Sequence, residues 1–235
     1  MKSRNIIESF NYAINGIIYG IKTQRNLKIH CFAALGVLFL SLFYDFTKIE
    51  LLLLILTITI VFVAEMINTA IEKVVDLVSE NYHPLAKIAK DVAAGAVLIA
   101  AVNAVIVGYI LFFSNPNIIG SKINVFIKVR QTPLHISFIS VLIVLILVFM
   151  IKARFGKGTP LRGGVVSGHA ALAFAITTSI CFITENAMIT ALSLVLSFLV
   201  AQSRVEGKIH SMLQIFLGAL LGIAVTVFLF SLRLL

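Results

Sequence analysis

Apolar runs dominate this sequence, and they constrain its fold more than any other feature does. Long stretches of Leu, Ile, Val, Phe and Ala recur between short polar clusters; 60% of the 235 residues are hydrophobic and only 12% are charged. A single soluble core cannot bury that much apolar surface. We therefore expect an all-α, polytopic membrane protein with about seven transmembrane helices.

The expected spans are separated by a change of composition in the middle of the chain. Residues 114–133 are rich in Asn, Pro, Gly and Lys, which predicts a linker between two membrane domains, 1–113 and 134–235. Pro84 is expected to mark the turn between the second and third spans. The spans themselves are predicted near residues 31–44, 49–66, 92–113, 134–151, 168–184, 187–202 and 211–232.

The first residues of the chain predict one further helix. Residues 5–22 place Phe10, Ile14 and Ile17 on one side and polar residues elsewhere, which is typical of a helix lying in the membrane surface. The pattern of a signal peptide is missing here, so we expect no cleavage. Cys31 and Cys181 lie far apart in apolar runs and are expected to be free thiols.

The net charge of +9 raises the possibility of nucleic-acid binding. The basic residues, however, fall in short clusters between the apolar spans, at residues 2–28, 73–90, 152–162 and 204–208. Clusters of this kind set the orientation of a membrane protein, with positive loops inside. We expect no nucleic-acid partner.

Acidic and amide side chains interrupt the end of the second span. Glu65, Asn68, Glu72 and Asp76 lie within about 60° of Glu65 around a helix, so they share one face. An ionisable group inside an apolar span is costly and marks a functional site by default. These oxygen ligands suit a divalent cation that carries nucleotide phosphates. The alternative is that Glu72 and Asp76 pair with nearby lysines.

The same stretch resembles the prokaryotic diacylglycerol kinase and undecaprenol kinase family, in the run Glu65-x-x-Asn68-Thr-Ala-Ile-Glu72 followed by Asp76. A second family block appears as Glu80, Tyr82, His83, Lys90 and Asp91. The resemblance covers about residues 5–113 and implies a homotrimeric membrane kinase that uses ATP and Mg²⁺. By that resemblance Glu65 is the general base, Glu72 and Asn68 serve the metal and phosphates, and Asp76, Lys90 and Asp91 shape the nucleotide site.

A third block departs from the family. Gln24-Arg25-Asn26 is followed by Ile29-His30, where the family has Glu-Arg-Asn-x-x-Ile-His. The resemblance places Arg25 at the nucleotide and residue 24 at the metal, but Gln24 carries no charge. An amide oxygen can still coordinate a cation but carries no charge, so Gln24 leaves open whether the metal binds and whether the kinase is active.

Two polar islands in the second half carry another resemblance. The first contains Arg162 and Ser167-Gly168-His169, and the second reads Ser203-Arg204-x5-His210. Together they resemble the phosphatidic acid phosphatase type 2 family, over about residues 134–232. The helix start at Ser167 and Gly168 can offer N–H groups to an anion, and Arg162 and Arg204 can grip phosphate oxygens. His210 then attacks phosphorus and His169 protonates the leaving alcohol.

This second resemblance also has departures. Val166 stands where the family has proline, and Gln214 stands where it has the aspartate that orients the nucleophilic histidine. Glu206, four residues before His210, could supply the missing carboxylate; a surface pairing with Arg204 or Lys208 is the alternative. The basic residues of the first island, Lys152 among them, are also explained by orientation in the membrane alone.

These observations predict a bacterial inner-membrane lipid kinase fused to a lipid phosphatase-like domain. Its substrates would be a lipid alcohol, undecaprenol or diacylglycerol, and a lipid phosphate. Counting spans from a cytoplasmic amino terminus brings both sites to the cytoplasmic face. The alternative is a regulatory membrane protein that binds lipid phosphate without turnover, which Gln24 and Gln214 together would permit.

Overall fold

The computed structural model describes residues 6–44, 46–79, 81–113, 132–155 and 165–234. All regular elements in these ranges are α-helices, as the sequence predicts. In chain order they are α1 (Ile6–Thr23), α2 (Arg25–Ser41), α3 (Lys48–Val78), α4 (Pro84–Phe113), α5 (Pro133–Phe155), α6 (Gly168–Thr184), α7 (Ala187–Glu206) and α8 (Met212–Leu234).

Five of the described helices are long and apolar enough to cross a membrane, namely α3, α4, α5, α7 and α8. Helix α6 is a shorter apolar helix, and α2 has 17 residues. About 20 residues are needed for a straight crossing of the hydrocarbon layer. The multi-span membrane protein is thus confirmed, whereas the count of seven spans and the surface position of α1 stay predictions.

Local sequence signals fix the ends of the long helix α3. Its N-cap is Thr47, whose hydroxyl accepts from the backbone N–H of Glu50 while the Glu50 carboxylate accepts from the Thr47 N–H. This reciprocal pair satisfies two backbone donors that have no partner within the helix. After Val78 the chain turns, and Pro84 begins α4, as predicted. Proline suits the first position of a helix because its missing N–H would be unpaired there anyway.

The chain divides into two compact units. The smaller unit comprises Gln24–Ala34 and Phe46–Val125, and the larger unit comprises Met1–Thr23, Leu35–Asp45 and Phe126–Leu235. The predicted linker, 114–133, lies almost wholly outside the described residues. The predicted domain boundaries therefore stay a prediction.

In the smaller unit α3 packs against α4. Buried positions recur at helical spacing on both helices, Leu54 and Val61 on α3 and Ala93, Val97 and Ala100 on α4. The start of α2 contributes Leu27, Cys31 and Ala34 at the same spacing, all buried. One stripe of each helix is thereby removed from the lipid side.

The larger unit is built around α6, which packs against α5, α7 and α8. One buried cluster joins Val144 and Val148 of α5 to Ala171 and Ala175 of α6. Another joins Ala170 and Phe174 of α6 to Ala201 of α7 and Ile215 of α8. Small residues dominate the α6 side, so its neighbours approach closely.

Two glycines set the distance between α6 and α8. A Cβ atom at Gly218 would collide with the backbone carbonyl of Ser167, and one at Gly222 with that of Ala171. These partners are backbone atoms and cannot turn aside. The close approach places the start of α6 beside the start of α8, where polar residues of the second sequence island lie.

We expect Gly222→Ala to destabilise the larger unit, because the added methyl forces α6 and α8 apart. Overpacking of this kind typically costs about 1–3 kcal/mol. The measurement is the midpoint of thermal unfolding in detergent, followed by circular dichroism. Gly108→Ala is the matched control, since nothing lies within 4 Å of its added Cβ; it should leave the midpoint unchanged or raise it. Equal midpoints for the two variants would contradict the packing argument.

Candidate active sites

The smaller unit connects two of the four side chains predicted on the α3 face, Asn68 and Glu72, and buries a third, Glu65, on the same helix. Glu65 is 1% exposed, Asn68 is buried and Glu72 is half-buried. Asn68 Nδ2 donates to Glu72 Oε1 at 2.9 Å, and Gln24 Nε2 donates to Glu72 Oε2 at 3.1 Å. Both carboxylate oxygens of Glu72 are therefore held by amides. This brings together Gln24, from the start of α2, and the middle of α3.

The Asn68 carbonyl oxygen makes this cluster fit a divalent cation. Asn68 Oδ1 is buried and has no hydrogen-bond partner among the described residues. A buried acceptor without a partner calls for a ligand. Mg²⁺ is commonly held by one or two carboxylates together with substrate phosphates. Glu72, Asn68 Oδ1 and, after rotation of its amide, Gln24 supply such a donor set. The described part of the chain contains no group of three or more His, Cys, Asp or Glu side chains that could hold a metal ion.

Asp76 behaves as the alternative interpretation of the sequence predicts. Its carboxylate forms an ion pair with Lys90 Nζ at 2.6 Å and a longer one with Lys73 Nζ at 3.6 Å. The Lys90 contact ties the end of α3 to the start of α4. All three side chains remain substantially exposed, so the pairs stabilise the fold little. Asp91 and Arg25 are exposed at the starts of α4 and α2.

The sequence reasoning missed the partner of Glu65. His30 Nε2 lies 3.2 Å from Glu65 Oε1, so the imidazole of α2 contacts the buried carboxylate of α3. The signal was present in the sequence, since His30 falls one turn after Leu27 and beside Cys31 on the face that α2 buries.

The larger unit gathers basic side chains where α5 and α7 end and where α6 and α8 begin. His210 is 5% exposed and His169 is half-buried; Lys152 and Arg204 lie close enough to act electrostatically on both imidazoles. Lys152 is only 7% exposed. Orientation in the membrane does not explain a buried lysine, so Lys152 joins this cluster as a group that the sequence reasoning missed.

Helix α6 begins at the predicted position, but the N–H of Ser167 is not free to bind an anion. Ser167 is fully buried and caps the helix, its side chain accepting from the Ala170 N–H at 3.4 Å. The Ser167 N–H donates to the Gln214 carbonyl at 2.9 Å. Gly168 is the first helical residue, and helix N-termini favour negative charge. Arg162 lies outside the described residues.

Gln214 fixes the protonation of His210. Gln214 Oε1 accepts from the Ser211 N–H at 3.1 Å and lies 2.9 Å from His210 Nδ1. Because a backbone N–H can only donate, the Gln214 atom that both groups approach must be the oxygen. His210 Nδ1 therefore carries a proton and donates it to Gln214. In the neutral imidazole this leaves the lone pair on Nε2, which is buried and has no hydrogen-bond partner among the described residues.

A capping box explains why Gln214 points this way. Ser211 precedes α8, its hydroxyl accepts from the Gln214 N–H at 3.4 Å, and Gln214 reaches back to the Ser211 N–H. Glu206 does not supply a carboxylate to His210 in the described structure. Its Oε1 accepts from Gln202 Nε2 at 2.7 Å, one turn earlier in α7.

The two sites define a class of protein: a helical membrane protein with a carboxylate–amide site in one unit and a cluster of His, Lys and Arg side chains in the other. A family model described as prokaryotic diacylglycerol kinase matches residues 11–112, and one described as PAP2 superfamily matches residues 92–234. The chain belongs to both families, the first in its amino-terminal half and the second in its carboxy-terminal half, as the sequence motifs predicted.

Curated relatives support the kinase assignment. A diacylglycerol kinase of Synechocystis sp. is 50% identical over 105 residues, which are 44% of this chain and 60% of that protein. An undecaprenol kinase of Bacillus subtilis is 43% identical over 45% of this chain and 85% of its own length. A diacylglycerol kinase of Haemophilus influenzae is 34% identical over 46% of this chain and 93% of its own length. No solved structure matches the chain.

We expect His210 to remain neutral to a lower pH than an ordinary histidine. Burial lowers the pKa of His210; the hydrogen bond to Gln214 raises it in part, and Lys152 and Arg204 lower it further. Protonation therefore begins only as the pH falls below the usual value of about 6.5. Gln214→Glu places a carboxylate at Nδ1 and should raise the midpoint by about 1–3 pH units. NMR titration of the His210 imidazole measures the midpoint in the wild type and in Gln214→Glu, and the signal that is lost in His210→Gln identifies His210. Identical midpoints would contradict the contact with Gln214.

Proposed function

We propose that the smaller unit transfers the γ-phosphate of ATP to a lipid alcohol and that the larger unit hydrolyses a lipid phosphate. Undecaprenol or diacylglycerol is the proposed alcohol, after the substrates in the relatives' names. The single observation that carries the kinase proposal is Glu65, a carboxylate buried in an apolar helix beside an amide–carboxylate cluster. An ionisable side chain inside an apolar span is costly, so a carboxylate at this position indicates a functional role.

In the kinase reaction Glu65 acts as general base. Its carboxylate takes the proton of the lipid hydroxyl while that oxygen attacks the γ-phosphorus and ADP leaves. Glu72, Asn68 and Gln24 would hold Mg²⁺, which neutralises phosphate charge when bound. Because the amide N–H groups of Asn68 and Gln24 now donate to Glu72, Gln24 must turn its oxygen toward the cation. We propose that Lys90, Asp91, Arg25 and Asp76 surround the nucleotide.

In the phosphatase reaction His210 Nε2 attacks phosphorus, since its lone pair is free. His169 donates a proton to the leaving lipid oxygen, and water then releases phosphate from His210. Arg204 Nε is a buried donor without a partner in the described structure, and a phosphate oxygen would satisfy it. Lys152 and the N–H group of Gly168, at the start of α6, add to the attraction.

We further propose that the protein lies in the bacterial inner membrane as a homotrimer, with both sites facing the cytoplasm. ATP is cytoplasmic, and the basic loop at residues 73–90 flanks the kinase site. Two crossings, by α4 and α5, separate that loop from Lys152, so an even number of crossings returns the second site to the same side. The trimer rests on the family resemblance.

Glu65→Gln should abolish phosphoryl transfer while MgATP binding stays near the wild-type level, because the amide keeps the shape but cannot accept the proton. Glu72→Gln should weaken both, since it removes the one carboxylate of the metal cluster. Transfer of radiolabel from ATP to undecaprenol and diacylglycerol in mixed micelles measures the activity. Unchanged transfer by Glu65→Gln would exclude it as the base. Gln24→Glu should lower the Mg²⁺ concentration required for half-maximal rate.

Cysteine labelling tests the orientation. In a chain with Cys31 and Cys181 replaced by alanine, Lys208→Cys should resist an impermeant thiol reagent in whole cells, since it follows α7 on the side of the phosphatase site. Glu185→Cys, between α6 and α7, should react readily. The two positions are matched, as both are exposed and have positive φ, 51° and 48°. The reversed labelling pattern would place the phosphatase site outside the cell.

A second candidate function is binding of lipid phosphate without turnover. Gln214 favours it, because an amide orients the imidazole but does not offset the positive charge that develops during attack. Replacing the carboxylate by an amide in a serine-protease triad lowers kcat by about 10⁴-fold. Phosphate release from a lipid phosphate by the wild type distinguishes the two; release by Gln214→Asp alone would favour the binding function.

A further inference from the structure

The carboxylate of Glu65 requires a partner if it is to act as a base. Its side chain is 2% exposed, so water cannot solvate the charge. A buried, isolated carboxylate takes up a proton instead, and a protonated carboxyl group cannot accept one from a lipid hydroxyl. Some neighbouring group must therefore stabilise the ionised form.

The polar side chains next to Glu65 on α3 are already engaged. Thr69 Oγ1 donates to the backbone carbonyl of Glu65, at 2.8 Å, and not to its carboxylate. Asn68 Nδ2 donates to Glu72. In the described part of the chain Oε1 accepts no hydrogen bond, and His30 is the side chain within ion-pair distance of it, with Nε2 at 3.2 Å.

Other charged groups around the pair do not replace His30. Glu72, two turns along α3, is itself a carboxylate and cannot neutralise a second one. On α2, Arg25 and Lys28 are exposed. On α4, Lys90 is engaged by Asp76, as described above. The imidazole of His30 is 23% exposed, whereas the Glu65 side chain is almost fully enclosed.

We propose that His30 is a positioning residue for the kinase reaction: as the ionic partner of Oε1 it keeps Glu65 ionised, which leaves Oε2 for the lipid hydroxyl. This inference rests on the proposed kinase function. His30 does not contact the reacting atoms; it acts through Glu65. A carboxylate with one oxygen engaged has a defined orientation, which a general base needs for proton transfer.

The test compares His30→Gln, which keeps a hydrogen-bond donor but cannot carry a charge, with His30→Lys, which carries a positive charge. Infrared difference spectra at neutral pH report the protonated carboxyl group of Glu65, assigned by its loss in the matching Glu65→Gln double variants. We expect the protonated band in His30→Gln and not in the wild type or His30→Lys. This readout does not depend on turnover.

Kinase assays on the same proteins test the catalytic consequence. In His30→Gln we expect kcat to fall roughly 10²-fold or more, the lower range for general-base catalysis, with KM for lipid and ATP within about twofold. The acidic limb of its rate profile should move to higher pH, because Glu65 is then protonated over a wider range. His30→Lys should recover most of the loss. Lys28→Gln, an exposed position on the same helix, should match the wild type.

Each outcome decides the proposal. The absence of a protonated Glu65 band in His30→Gln, or a kcat there within about twofold of the wild type, overturns it. If His30→Gln does not fold, the spectrum of His30→Lys decides: an ionised Glu65 supports the pairing and a protonated one overturns it. If the band appears in His30→Gln but the wild type phosphorylates no lipid alcohol, the pairing stands and the proposed kinase function fails.

Discussion

The cost of placing charge inside an apolar bundle governs this structure. An ionised group that loses its water must find a partner or lose its charge. Glu65 meets that requirement through His30, and the second site concentrates its charges where helices begin and end. Some polar side chains within the helices pair with one another, as Thr177 does with Ser197 between α6 and α7 at 2.6 Å, and others bond to the backbone of their own helix, as Thr57 does. Function is thereby confined to a few places.

Neutral amides occupy a key position in each site. Gln24 donates to Glu72 in the kinase half, and Gln214 accepts from His210 in the PAP2 half. An amide reproduces the hydrogen bond of a carboxylate but not its charge. In the proposed functions each amide orients its partner through a hydrogen bond, but it offers no negative charge to the cation in the first site or to the imidazolium in the second.

Close helix packing gives the PAP2 half its geometry. Gly218 and Gly222 let α8 lie against the backbone of α6, so that the Ser167 N–H reaches the Gln214 carbonyl. The same residue, Gln214, caps α8 through Ser211 and holds His210. Packing, capping and the orientation of His210 are thus coupled, and a larger side chain at either glycine would disturb all three.

The sequence by itself determined the helical membrane architecture, the break at Pro84, both family memberships and the grouping of Asn68 and Glu72, because apolar runs and i, i+4 spacing act locally along the chain. It did not determine which partners meet across helices. The pairing of His30 with Glu65, the burial of Lys152 and the bond of Glu206 to Gln202 instead of His210 were all missed. The first two depend on how helices distant in sequence pack, and the third on where α7 ends. Only the tertiary structure decides such contacts, since packing fixes which side chains lose their water together.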